Sequence, residues 1–176
     1  MNKMKSITCI AFILFCFMAV GQSKKDKKII SDAKKAKKTL LRTDSGLQKY
    51  FDKSAGYVIF PNVGKGGLII GAASGNGAVY ENGEVTGMAD LKKLSVGFQA
   101  GGQAIIEVIF FEDESVFSEF KDDTFEFSAE ISAVALKSGV NANAKYKDGV
   151  MVFVLPKAGL MADVTVGGQK FEYTGF

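Results

Sequence analysis

The chain has 176 residues, enough for one domain with a sizeable hydrophobic core. It has no His and no Trp, and its two cysteines, Cys9 and Cys16, lie within the first 21 residues. Beyond that segment the composition excludes a disulfide, an ordinary zinc or copper site, and a Ser-His-Asp or Cys-His catalytic pair.

Residues 1–21 have the layout of a secretory signal peptide. A basic start precedes an apolar stretch from Ile7 to Val20, which is shorter than the roughly 18 residues of a spanning helix. Ala19-Val20-Gly21 forms a small-x-small cleavage site. An uncleaved anchor and lipid modification at Cys16 are the alternatives, and Phe15 disfavours the second because that processing needs a small preceding residue. We expect export, with the protein in the periplasm or associated with the cell envelope.

Charge is divided unevenly along the chain. The formal net charge is +3, of which two lysines of the leader contribute +2. Residues 22–42 carry +7, so residues 43–176 carry −6. A basic arm is therefore joined to an acidic body.

Residues 22–54 are predicted to form a basic amphipathic helical arm. Apolar residues from Ile29 to Leu41 recur at helical spacing, and basic residues fill most other positions. Asp44 or Ser45 is expected to cap a second short helix, and Gly56 ends the helical region. The basic residues of the arm are Lys24, Lys25, Lys27, Lys28, Lys34, Lys35, Lys37, Lys38 and Arg42.

Three interpretations of this arm remain open. Its apolar stripe packs on the body and its lysines face water, or the whole helix lies on an anionic bilayer with the stripe downward. The third interpretation is binding to nucleic acid or an acidic partner. Export disfavours it, and we expect no nucleic-acid partner.

Residues 55–176 are predicted to form a glycine-rich β domain centred on one hairpin. Tyr57 to Phe60 and Leu68 to Ile70 are short, β-prone runs without alternation, which indicates strands covered on both faces. Pro61-Asn62 is predicted to break the first strand, because proline donates no ladder hydrogen bond.

The next elements follow from turn signals and alternation. Asn82-Gly83 predicts a type I′ hairpin turn, and Asn76-Gly77 predicts another turn. Met88 to Lys93 is predicted to be a loop or an edge, and Ser95 to Phe111 alternates as a strand does. A short helix is predicted within Glu112 to Lys121.

The last third of the chain returns to β patterns. Thr124 to Leu136 has period two, and Asp148-Gly149 forms a hairpin into Val150 to Leu155. Leu160 to Val166 and Lys170 to Tyr173 close the domain. The predicted fold is α+β: a curved antiparallel β sandwich or partial barrel with N-terminal helices and one short inserted helix.

No motif of this chain predicts catalysis. Glu126 and Glu130 would share one strand face, which leaves carboxylate chemistry as a remote alternative. Gly64-Lys65-Gly66 fails the phosphate-loop pattern, because Phe60 stands where the first glycine should be and Gly66 where a hydroxyl is needed. We expect neither an enzyme nor a cofactor.

Three blocks together resemble the SYLF-domain family: GYVIFPNVGKGGLIIG with the following GNG, SVGFQAGGQ, and PKAGLMADV. The resemblance covers Leu47 to Val166. The sequence departs from the family pattern at Met88 to Leu91, where many relatives have a Trp-Ser-Pro-like segment. Positions that match the pattern are Phe60, Pro61, Lys65, Gly67, Gly97, Gln99, Gly101, Gln103, Lys157, Gly159 and Leu160.

The resemblance implies a compact β-rich fold with N-terminal helices, no enzymatic activity and binding to anionic lipids. It implies a membrane role for an N-terminal amphipathic segment, which Lys24 to Arg42 fits. Some relatives contact actin, a property that we do not extend to an exported chain. Lys65 and Lys157 lie beside glycines, where backbone amides and an ammonium could hold an anion; solvated turn lysines are the alternative.

The hypothesis is therefore a non-enzymatic protein that binds anionic phospholipid headgroups at a bacterial envelope membrane. The arm and the glycine-rich domain, with Lys65 and Lys157, would form the lipid-binding surface. The alternative is a structural or protein-interaction module of the periplasm, with the arm packed on its own acidic body and a protein partner not yet defined.

Overall fold

The computed structural model describes residues 22–66, 70–96, 103–122, 133–136, 144–157 and 169–176. Within them a short 3₁₀ turn, Ser45–Leu47, links the first two helices. The helices are α1 (Lys24–Thr43), α2 (Gln48–Lys53) and α3 (Glu114–Lys121). The strands are β1 (Gly56–Gly66), β2 (Ile70–Glu81), β3 (Glu84–Val96), β4 (Gln103–Phe111), β5 (Val134–Ala135), β6 (Val150–Pro156) and β7 (Gln169–Gly175).

The strands form one sheet in the order β5-β6-β4-β1-β2-β3-β7. Neighbouring strands are antiparallel, except that β5 pairs with β6 in parallel. The predicted α+β class is confirmed, with helices at the N-terminus and one short helix inserted after β4. The sheet is mixed rather than purely antiparallel, because the two-residue β5 adds to β6 in the same direction.

The sheet is strongly curved. Between β4 and β7 lie three other strands, so in a flat sheet they would be about 19 Å apart at roughly 4.8 Å per step. Yet Gln169 Nε2 of β7 donates to Glu107 Oε2 of β4 at 3.2 Å. Both side chains are fully buried, so this hydrogen bond crosses the interior of the curled sheet.

Both faces of the sheet are covered, as the non-alternating run in β1 predicted. Val58 and Phe60 belong to the cluster inside the curve, together with Phe117 of α3. Tyr57 and Ile59 point to the other face and join the cluster under α1 and α2. All four β1 residues are at most 2% exposed, so this strand is the centre of two cores.

Two predicted hairpin turns are confirmed. Asn82 and Gly83 have φ of 52° and 82°, the positive values that a type I′ turn requires, and they join β2 to β3. Asp148 and Gly149 have φ of 51° and 71° and lead into β6. The helix α3 is also confirmed, with the side chain of Asp113 accepting from Val116 N–H at its start.

Three local predictions are wrong. Pro61-Asn62 does not end β1; the strand continues to Gly66, and its pairing shifts at this point because proline cannot donate to the ladder. Asn76-Gly77 lies inside β2 rather than in a turn, with Asn76 opposite Asp90. Met88 to Lys93 lies in β3, paired with β2 on one side and β7 on the other.

Some predictions fall outside the described residues. They concern the leader at 1–21, the strand predicted at 160–166, and the residues Leu68, Gln99, Glu126 and Glu130. In the part of the chain that is described, no helix is both long and apolar enough to cross a membrane.

Candidate functional site

Helix α1 carries the basic arm and has well-formed ends. Ser23 and Asp26 form a capping box: the Ser23 Oγ accepts from Asp26 N–H at 3.1 Å, and the Asp26 carboxylate accepts from Ser23 N–H at 2.9 Å. At the other end Asp44 N–H donates to Leu40 O at 2.9 Å, and the Asp44 side chain accepts from Gly46 N–H at 2.8 Å. The helix is therefore ordered from its first turn to its last.

The apolar stripe of α1 packs on the chain's own sheet. Ile30, Ala33, Ala36 and Leu40 are buried, and Leu40 is 0% exposed. They join a cluster with residues of β1, β2, β4 and β6 and with α2. This is the first of the three interpretations of the arm. In this conformation the stripe does not face outward, so it offers no apolar surface to a bilayer.

The basic residues lie on the opposite side of α1. At 100° per residue, the lysines at 24, 27, 28, 34, 35 and 38 and Arg42 share an arc of about 120°. Ser31 is the uncharged residue within that arc. Lys25 is also exposed but lies off the arc, near the first turn. We call these seven residues on the arc the basic face.

Asp32 borders the basic face and pairs with two of its lysines. Its carboxylate accepts from Lys28 Nζ at 2.9 Å and from Lys35 Nζ at 3.2 Å. Hydrogen bonds from the two ammonium groups, first Lys28 and then Lys35, lower the pKa of Asp32. Both lysine side chains remain more than 70% exposed, so one carboxylate leaves the face strongly cationic.

Lys37 is the one basic residue of α1 that turns inward. Its ammonium donates to Tyr57 Oη at 2.9 Å and lies over the Phe51 ring, 4.2 Å from the centroid. Burial lowers the pKa of Lys37, and the Asp52 carboxylate partly opposes that change. The prediction placed Lys37 among the lipid-binding residues; the structure places it in the contact between helix and sheet.

A cleft of about 330 Å³ separates α1 from the irregular part of β1. Lys157 follows β6, and its side chain lines this cleft. Its Nζ donates to Asn62 Oδ1 at 3.1 Å. Lys65, its predicted partner, lies in β1 with its backbone between Ala73 and Gln103, and its side chain is outside the described part. The cleft is lined by Asp32, Lys35, Ala36, Thr39, Pro61, Asn62, Ile106 and Lys157.

No local pattern in the sequence indicates that Asp32, Thr39 and Asn62 meet at one place. Asn62 follows Pro61 in the segment that is predicted to break the first strand, and only the fold brings it to the helix. The described residues contain no group of three or more His, Cys, Asp and Glu side chains placed to hold a metal ion.

The comparisons with known proteins agree with the resemblance. The family model "Ysc84: Las17-binding protein actin regulator" matches residues 92–173. "Beta cell expansion factor A" of Aeromonas veronii is 31% identical over 123 residues, which are 69% of this chain and 46% of that protein. The chain thus spans about half the length of this relative. The SYLF resemblance is confirmed: residues 92–173 match the model of the SYLF family, which is also called Ysc84.

Proposed function

We propose that this protein binds anionic lipid headgroups at a bacterial envelope membrane and catalyses no reaction. The basic face of α1 supplies the binding surface, and the curved sheet holds that face rigid. The single observation that supports this most is the division of α1, with its apolar side buried in the chain's own core and seven basic residues in one outward arc.

The position of the lysines in the helix also supports a binding role. Lys24, Lys25 and Lys27 lie in the first turn, where the helix dipole disfavours positive charge by about 0.3–1 kcal/mol for each residue. Within this turn Asp26 is the acidic residue that opposes this effect. Helix stability alone does not favour three lysines there, so an external anionic partner is the better explanation of their placement.

The electrostatic attraction between the basic face and an anionic bilayer is sufficient for reversible binding. Each lysine close to an anionic bilayer contributes about 1 kcal/mol. If four residues of the basic face engage, the gain is about 4 kcal/mol, close to a thousandfold in the partition constant. Because salt at about 0.1 M already screens charges beyond roughly 10 Å, we expect strong dependence on ionic strength.

Flotation with lipid vesicles tests the proposal. The protein should float with vesicles that contain an anionic phospholipid at low salt and should be released as the salt concentration rises. Equal flotation with purely zwitterionic vesicles, or flotation with neither, would contradict the proposal. Deletion of residues 22–42 is a poor control, because it would uncover the cluster on which α1 packs.

A protein-interaction module is the second candidate. Two observations favour it: α1 is packed on the body, and the matching family model is described as a Las17-binding actin regulator. The surface presented to a partner would then be the same basic face, and the partner would be acidic. In that case the intact protein binds no vesicle of any composition.

A further inference from the structure

The cleft beside α1 has features that the diffuse basic face lacks. It has two walls from distant parts of the chain, the helix on one side and the irregular part of β1 with the end of β6 on the other. Its volume of about 330 Å³ is about ten times the roughly 30 Å³ of one liquid water molecule. Ala36, Pro61 and Ile106 supply apolar surface, so the cleft has room for a headgroup-sized molecule.

An ammonium group stands on each wall, and each is held by a neighbour. On the helix wall, Lys35 Nζ is 3.2 Å from Asp32 Oδ1. On the sheet wall, Lys157 Nζ donates to Asn62 Oδ1 at 3.1 Å, and Lys157 N–H donates to Ala104 O at 2.9 Å. The Asn62 side-chain amide and the backbone hydrogen bond to Ala104 thus hold the Lys157 ammonium in position.

The balance of charge in the cleft favours an anion. Lys35 and Lys157 contribute two positive charges, and Asp32 contributes one negative charge. Asp32 also accepts from Lys28 at 2.9 Å, which further offsets its charge. Within the part of the chain that the structure describes, Lys157 pairs with no carboxylate, so an incoming anion meets a positioned donor with little competition.

We propose that this cleft is a specific site for a phosphate group, bound between Lys35 on the helix and Lys157 on the sheet. The inference rests on the proposed function, since a lipid headgroup is one source of that phosphate; a free phosphorylated metabolite is the other. Lys35 also belongs to the basic face, so a lipid bound in the cleft would sit beside the surface that attracts the bilayer.

Calorimetric titration of the whole chain with glycerol 3-phosphate tests the site without a membrane. Lys157→Gln and Lys35→Gln should each weaken saturable binding about tenfold, the usual effect of losing one charge-assisted hydrogen bond. Lys53→Gln removes the same charge from an exposed lysine that lies outside both the cleft and the basic face, and should leave the affinity unchanged. Equal losses in all three variants, or no saturable binding by the wild type, would overturn the inference.

Vesicle flotation of Lys157→Gln, in the cleft, and Lys38→Gln, on the basic face, separates this inference from the proposed function. Stronger loss of binding to phosphatidic acid vesicles in Lys157→Gln than in Lys38→Gln supports a lipid phosphate in the cleft. Equal loss in both variants overturns the cleft as a lipid site and leaves the basic face as the binding surface. Tight glycerol 3-phosphate binding without vesicle binding supports the cleft with a free ligand and rejects the proposed function.

Discussion

Replacing Leu40 by alanine tests whether α1 is a structural part of the fold. Leu40 is 0% exposed and belongs to the cluster between α1 and the sheet. Truncation of a buried leucine costs about 2–5 kcal/mol, through lost burial and the cavity that remains. The denaturation midpoint in urea should therefore fall by roughly 1–2.5 M, for a slope of about 2 kcal/mol per M.

Leu41 is the matched control, since it is the same residue type one position further along the same helix. It is half-buried and packs only against the margin of the cluster. Leu41→Ala should cost less than half as much as Leu40→Ala. Far-UV circular dichroism is the suitable signal, because the chain has no Trp. If the two variants differ by less than about 0.5 kcal/mol, α1 is not seated as described, and the reasoning fails.

Two further predictions concern the core of the sheet. Burial raises the pKa of Tyr57 and of Tyr80 to about 12 each, so the folded state keeps protons that the unfolded chain releases near pH 10. The free energy of unfolding should therefore fall between pH 10 and pH 12. Urea titrations at several pH values measure this fall, and a free energy of unfolding that stays constant over this range would refute the prediction. Gly77→Ala should cost about 1–3 kcal/mol, because the new Cβ would lie 2.7 Å from Phe60 Cδ1. Gly64→Ala, with no atom within 4 Å of its Cβ, should not lower the melting temperature, and equal losses in both would be inconsistent with this packing.

Local signals were enough to predict several elements. Asn82-Gly83 and Asp148-Gly149 require positive φ, which few other residue pairs tolerate, so the two turns follow from sequence alone. The run from Tyr57 to Phe60 lacks alternation, and both its faces are buried. In each case the signal itself lies within a few consecutive residues.

Other elements depend on contacts that local patterns do not contain. Asn76-Gly77 has the sequence of a turn but stays in β2, where Asn76 meets Asp90 and Gly77 leaves space for the ring of Phe60. Met88 to Lys93 has few β-branched or aromatic residues, and its strand is fixed by β7, some 80 residues later. Tertiary pairing outweighs propensity at both places.

In the candidate site, too, local sequence patterns predict some features and tertiary contacts determine the others. The basic face of α1 could be predicted, because helical periodicity places the lysines opposite the apolar stripe. The inward position of Lys37 could not, since it depends on the rings of Phe51 and Tyr57 beneath it. The meeting of Lys157 with Asn62 joins positions 95 residues apart and has no local signature.

The central claim is that α1 binds an anionic surface while it remains packed on the sheet. Neutralising Lys27, Lys34 and Lys38 together with glutamine tests it most directly, because all three are exposed on the basic face. The control variant neutralises Lys53, Lys145 and Lys147, three exposed lysines outside α1, and so has the same net charge.

Partitioning onto anionic vesicles at low salt is the measurement, with circular dichroism to show that both variants stay folded. At about 1 kcal/mol per lysine, the first variant should lose on the order of a hundredfold in the partition constant. The control variant should lose less than about fivefold. Equal losses in the two variants would show that net charge alone drives binding, and would contradict the claim that the basic face of α1 is the binding surface.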